Sequence, residues 1–313
     1  MALIQVGVAI HRPGAAAILQ AIGQAEAADV PTVWLTTGSG PDALTVFGAA
    51  AASTRSIRMG TAIVPTFPRH PLVVAQQTAD IAQLAPGRFV LGLGPSHSTV
   101  MEGRYGIPYR QPLGHLREFV SVVKALLSGG QADFEGKHFK VHAKLNYGAQ
   151  VPIVISALRE GSFELAGEIC EGAVTWLCPA PYLRDAAVPA LERGAARTGR
   201  PRPKLIAHAF LALTSDPADL QQSVDEFLPH YPRLTNYQEM FAAAGYPEAR
   251  QGTWSARMLE AVVLHGSDDE CRKKLDRFMQ TSGCDEIILS IMLVGADRDA
   301  ALKRALQWVG TLS

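Results

Sequence analysis

Short, almost wholly apolar runs recur along the chain, each closed by a cluster of turn residues and followed by apolar positions at helical spacing. Residues 3–10 end at His11-Arg12-Pro13-Gly14 and lead into a helical pattern over 15–29. Residues 32–37, β-branched and aromatic, stop at Gly38-Ser39-Gly40 before a helix from Pro41, where proline suits the first turn. The same reading predicts strands over 57–64, 88–94, 151–157, 172–178, 204–213 and 285–292. Helices are predicted over 71–84, 114–127, 161–170, 181–197 and 297–309, and before the last strand a helix that Ser267 caps with Glu270 three residues on. Residues 128–150 read as a hairpin turning at Gly136.

Runs apolar on both faces belong to strands covered on both sides, as parallel sheets are and half-exposed antiparallel sheets are not. Strands separated by helices, eight of them, predict a single α/β domain over 1–313, a (β/α)8 TIM barrel. The two long gaps are read as insertions after strands 4 and 7, about 95–150 and 214–265, irregular in pattern and near the mouth.

Composition narrows the function. With 48% hydrophobic and 19% charged residues the chain can bury a sizeable core, so disorder is not indicated. Lys plus Arg balance Asp plus Glu at 29 each, and no basic run stands out, which argues against nucleic acid as a partner. The longest apolar run, near 43–52, is about half the ~20 residues a membrane helix needs, and no cationic leader precedes residue 3, so neither a membrane span nor a signal peptide is expected. Cys170, Cys178, Cys271 and Cys284 form no C-x-x-C pair, which points to reduced thiols, a cytoplasmic protein and no zinc site.

Candidate chemistry gathers where strands end. Gly92-x-Gly94 invites comparison with a dinucleotide fingerprint, but His97 holds the third glycine position, Pro95 interrupts the turn, and no helix is expected there. Phosphate-loop, nucleophile-elbow and H-E-x-x-H motifs are absent. In a barrel the polar residues at strand carboxyl ends form the default site: here His11, Thr36, Thr37, Thr66, Ser96, His97, Ser156, Thr175, Trp176 and Ser290. His97 and Glu102 share one loop and are candidates for proton transfer. His115 reads as a surface residue, and His138 and His142 as solvated positions of the hairpin.

The segment from Gly60 through Pro65-Thr66-Phe67-Pro68-Arg69-His70-Pro71, with Gln76-Gln77 and then Gly87-Arg88-Phe89-Val90-Leu91-Gly92-Leu93-Gly94, closely resembles the luciferase-like monooxygenase superfamily. Ser96-His97, Glu102-Gly103, Gly106-Ile107-Pro108-Tyr109, Thr175-Trp176 and His265-Gly266-Ser267 are similar to its branch that uses the deazaflavin coenzyme F420.

That resemblance implies a flavin or deazaflavin ring in the barrel mouth, resting on a non-prolyl cis peptide at Ala62-Ile63, with Ser96, His97 and Trp176 around it. It implies a cofactor phosphate held by backbone N–H groups at Ser156, Ala157 and Leu158 and at Gly172 and Ala173. Where relatives often have Gly-Pro after strand five, this chain has Arg159-Glu160, of which Arg159 can strengthen phosphate binding. Where they often carry an acidic or imidazole group after strand two, it has Thr36-Thr37-Gly38, which leaves His97, His11 and then Glu102 as candidates for acid–base work. The implied activity is hydride transfer between reduced F420 and a small organic substrate, in a homodimer. The alternatives are an FMN-dependent monooxygenase and a non-catalytic flavin-binding barrel.

Overall fold

Strands that are apolar on both faces need helices outside and packing inside, and the chain supplies both. The computed structural model describes residues 5–312, so the first two residues of the expected first strand lie outside the described part. Eight parallel strands run β1 Gln5–Ala9, β2 Thr32–Leu35, β3 Arg58–Thr61, β4 Phe89–Gly94, β5 Ile153–Ser156, β6 Gly172–Val174, β7 Lys204–Ala212 and β8 Glu286–Ile291. Each pairs with the next, and β8 returns to β1, closing the (β/α)8 barrel expected from the sequence.

One large side chain fills the interior. Trp34 of β2, fully buried, is ringed by Ala9, Val90, Val154, Val174, Ile206 and Ile288. Glycines on the flanking strands make that possible: a Cβ at Gly60 would lie 2.4 Å from the Trp34 ring and one at Gly7 2.9 Å from its Nε1.

Several helix boundaries follow from local chemistry. Asp42 accepts from Thr45 N at 2.9 Å and opens helix Ala43–Ser53. Ser267 and Glu270 form the expected capping box of helix Asp268–Ser282.

Two sequence expectations are corrected. A helix, Ser98–Tyr105, does open after Gly94–His97; it is short, its exposed face is polar and only Met101 is buried, so it carries almost no periodic apolar signal. The segment after β7, read as irregular, holds helices Pro217–Phe227, Thr235–Ala243 and Ala256–Val262 and a short strand, Val263–His265, paired to the top of β7. Asp216-Pro217 was a readable start: Asp216 accepts from Ala218 N at 2.7 Å and Pro217 occupies the first turn. The hairpin after β4 forms over Gln131–Glu135 and Lys140–Lys144. Among the described residues no helix is long and apolar enough to cross a membrane.

Candidate active site

The carboxyl ends of β3 to β6 surround a cavity of about 360 Å3. Its floor is the Ala62–Ile63 step, where β3 leaves the ladder and the peptide is cis. The loop after β2 pins this step from one side: Thr36 Oγ1 donates to Ala62 O at 2.7 Å and Thr37 N to Ile63 O at 3.2 Å. On the other side the Thr61 hydroxyl donates to Gly92 O at 2.8 Å and accepts from Gly92 N at 2.7 Å, replacing the ladder bonds that the step interrupts. Thr36 and Thr37, where an acid was looked for, therefore serve the floor.

The walls are mostly apolar and aromatic. Ser96, held at a left-handed φ of 63°, and His97 close the β4 side, and Tyr109 donates to Ser96 O at 2.9 Å. Tyr231, Asn236 and Tyr237 reach in from the segment after β7, and Trp176 Nε1 donates to the Tyr231 hydroxyl at 2.8 Å. Sequence reasoning missed these three because they sit on loops and short helices whose approach to the mouth is set by tertiary packing. Thr175 lines the cavity and is buried, and among the described residues its hydroxyl meets only the Cys178 thiol, a weak hydrogen-bonding group. A buried hydroxyl so weakly satisfied keeps hydrogen-bonding capacity for a polar ligand atom at this wall.

One end of the cavity opens at the start of helix Glu160–Ile169, where Ala157, Leu158, Arg159, Gly161 and Ser162 line it. Leu158 N and Arg159 N both point at Ser162 Oγ, at 3.1 and 3.2 Å. Arg159 is exposed, whereas Glu160 turns away to Arg193 at 2.7 Å. The helix terminus and Arg159 thus present positive potential with the nearby carboxylate drawn aside.

Most expected site residues meet here: Ala62, Ile63, Ser96, His97, Ser156, Ala157, Leu158, Arg159 and Trp176 all line this cavity. Gly172 and Ala173 do not. They pair with Val154 and Ile155 in the buried body of the barrel, because β6 is short and its mouth end is Val174 to Trp176. Glu102 is also outside the cavity: it is exposed on helix Ser98–Tyr105 and accepts from Tyr109 N at 3.2 Å. His11 lines an adjoining cleft, with its ring edge-on to Trp176 at 6.5 Å.

His115 corrects the surface expectation. It is buried, stacks on Phe67 at 4.0 Å and meets Thr66 Oγ1 through Nδ1 at 3.3 Å. His142, as expected, is exposed, between Asp133 and Glu135. Among the described residues no cluster of His, Cys, Asp and Glu suits a metal ion. Burial lowers the pKa of His97 and of His11; protein surrounds the His11 ring on the barrel side, while its open edge lets water offset part of that effect. His208 was not singled out from the sequence, being one polar residue in the apolar run of β7. It is fully buried and its ring stacks 3.6 Å from Trp176.

A family model described as luciferase-like monooxygenase matches residues 1–286. The chain belongs to that family. The F420-dependent glucose-6-phosphate dehydrogenase of Nakamurella multipartita is 33% identical over 171 residues, 52% of this chain and 50% of that one. The chain thus spans about half the length of that relative. The 5,10-methylenetetrahydromethanopterin reductase of Methanolobus tindarius is 24% identical over 303 residues, covering 89% and 91%. Among solved structures, an F420-dependent secondary alcohol dehydrogenase in complex with an F420–acetone adduct superposes with a TM-score of 0.83 at 17% identity, covering 99% of both chains. An EDTA monooxygenase from a Chelativorans species does so with a TM-score of 0.76 at 16% identity, covering 99% of this chain and 93% of that one. At these identities the structural likeness speaks for the luciferase-like fold.

Proposed function

We propose that this luciferase-like protein is an F420-dependent oxidoreductase acting on a small organic substrate. The observation that carries the reading is the cavity itself: floored by Ala62–Ile63, apolar along its walls, carrying the buried, weakly satisfied hydroxyl of Thr175, and ending at Arg159 and the start of a helix. Those features match a planar ring joined to an anionic chain. The relatives whose names specify F420, glucose-6-phosphate dehydrogenases about a third identical over half the chain, favour the deazaflavin over FMN.

Bound there, the reduced deazaflavin supplies a hydride, and the protein's part is orientation, exclusion of water and proton handling. Ala62 and Ile63 would support the ring and the Thr175 hydroxyl would meet a polar ring atom. The phosphate would be held by the Arg159 guanidinium and the positive end of the helix, because the Ala157, Leu158 and Arg159 N–H groups already donate to Val174 O and Ser162 Oγ. His97 closes the ring side of the mouth and His11 the neighbouring cleft; the lowered pKa of each keeps it neutral at pH 7 and able to donate a hydrogen bond. The same reading takes the protein to be a homodimer and cytoplasmic; four free, buried cysteines support a reducing compartment.

Titration of the pure protein with F420 and with FMN, followed by fluorescence, tests this. Micromolar or tighter binding of F420 together with weak FMN binding is the expected result. Purification of a yellow protein that releases FMN on denaturation would replace F420 by FMN in the reading, and failure to bind either would end it.

A further inference from the structure

Beside the cavity the barrel mouth carries a second cleft, of about 630 Å3, over the carboxyl ends of β1, β2 and β8. Thr36 lines both spaces. The first, at about 360 Å3, is near the lower limit for a single drug-sized ligand, so a tricyclic ring with its chain leaves no room there for a second molecule. A reaction partner has to meet the ring from the adjoining side, which is where the cleft lies.

The cleft offers no uncommitted charge. Its floor is apolar, with Ile10, Leu35 and Leu293. Its two cations are paired, Arg12 with Asp299 and Arg298 with Glu226 at 2.9 Å, and no lysine lines it. A phosphate or carboxylate would have to displace a carboxylate already in place, whereas a neutral molecule would not.

Behind the cleft a hydrogen-bonded row fixes the imidazole of His11. Leu177 N–H donates to His208 Nδ1 at 3.4 Å, which puts the His208 proton on Nε2, and Nε2 donates to Ser290 Oγ at 2.8 Å. The Ser290 hydroxyl then has its own proton for His11 Nε2, 3.5 Å away and at the outer limit of a hydrogen bond. The proton of His11 is left on Nδ1, the ring nitrogen free for a ligand. Stacking between Trp176 and His208 keeps the innermost ring from turning over. The charged groups facing the cleft are the two ion pairs already named, and burial lowers the pKa of His11 and takes that of His208 well below its usual value, so both rings are neutral.

We propose that this cleft is the substrate chamber, that it takes a small uncharged ketone or aldehyde, and that His11 Nδ1–H binds the carbonyl oxygen while Ser290 and His208 set its tautomer. This rests on the F420 reading above. Reduction there forms a C–H bond at the carbonyl carbon from the hydride that reduced F420 delivers and breaks the C=O π bond. The electron pair stays on oxygen, which takes a proton from water in the open cleft to give the alcohol. His11, a neutral donor, stabilises the charge growing on that oxygen without surrendering its only proton. His11 is thus a catalytic residue and Ser290 and His208 are positioning residues.

The test has a cofactor-free arm and a loaded arm. In 15N-histidine NMR spectra of the protein without cofactor, His11 is expected as the Nδ1–H tautomer, and Ser290→Ala is expected to shift it toward Nε2–H; an Nε2–H tautomer in the unaltered protein overturns the proposal. With reduced F420, a panel of cyclic and acyclic ketones is expected to be turned over, and with oxidised F420 glucose 6-phosphate is not. His11→Phe should raise the ketone KM about tenfold, the weight of one hydrogen bond to a partly buried group, while leaving the F420 Kd unchanged. Turnover of glucose 6-phosphate, an unchanged KM in His11→Phe, or no turnover of any ketone by an enzyme that binds F420 each overturns the proposal. Failure to bind F420 ends the cofactor reading instead, and the tautomer measurement separates the two failures.

Discussion

Replacing Thr61 by valine removes one oxygen atom and leaves the side chain almost the same shape. The ladder between β3 and β4 pairs Met59 with Phe89 and Gly60 with Val90, and resumes only where Val64 meets Leu93 and Pro65 meets Gly94. Across the gap the Thr61 hydroxyl is donor to Gly92 O and acceptor from Gly92 N, and the residue has no solvent exposure. No side chain at position 92 can take over, because a Cβ there would lie 1.8 Å from Thr61 O. Thr61→Val therefore strands a backbone N–H and a backbone C=O, each at about 1–3 kcal/mol, for a loss of roughly 2–6 kcal/mol. Urea unfolding followed by tryptophan fluorescence measures it: the midpoint should fall with an unchanged m-value. Thr61→Ser keeps the hydroxyl and should lose only the cost of a buried methyl, about 1 kcal/mol. Because Ala62–Ile63 follows directly, Thr61→Val should also weaken F420 binding. A loss below about 0.5 kcal/mol would refute the argument that this hydroxyl substitutes for the ladder.

Three further outcomes are expected. Thr175→Val removes a buried hydroxyl whose neighbour is the weakly bonding Cys178 thiol, so the cofactor-free protein should be about as stable as the parent in thermal unfolding, while F420 affinity falls several-fold. Arg159→Ala should raise the F420 Kd about tenfold and flatten its dependence on salt, with no change in melting temperature, since Arg159 is exposed. His115 is held neutral, its pKa lowered to about 4, chiefly by burial and then by His138, with Glu118 opposing. Because the folded value lies below the unfolded one, its contribution is present above pH 6.5 and is lost as pH falls from 6.5 toward 4, on the order of 2–3 kcal/mol in all. His115→Phe should remove that part of the acid sensitivity, as chemical denaturation at pH 7 and pH 5 would show; equal pH dependence in parent and variant would refute it.

The barrel was legible because its signal is local. Each strand is an apolar run between turn residues, and the end of β4 announces itself in Gly92-x-Gly94-Pro95. The same locality explains the failures. Helix Ser98–Tyr105 buries one residue, so no periodicity betrays it. His115 looked superficial because one polar residue on a helix says nothing about the hairpin, whose Phe139 packs over it with ring centroids 4.9 Å apart. Gly172 and Ala173 are expected at the phosphate only through the family resemblance; they open β6, and the start of a barrel strand lies away from the carboxyl-end mouth, so they fall inside the barrel.

By itself the sequence determined the order of strands and helices and their parallel, doubly covered character, since each depends on neighbours in the chain, while its resemblance to a known family pointed to the step at Ala62–Ile63. Tertiary structure alone decided which polar groups share a space. Tyr231 and Tyr237 reach the cavity only because the helices after β7 fold back over the mouth, and Glu102 misses it because a short helix carries the residue outward. His11, from the loop after β1, Ser290 of β8 and His208 of β7 are far apart in sequence, yet lie side by side because β8 pairs with both β1 and β7 where the barrel closes. Spacing along a chain encodes periodicity and turns; it does not encode which strands become neighbours, and the chemistry of this mouth lies between strands.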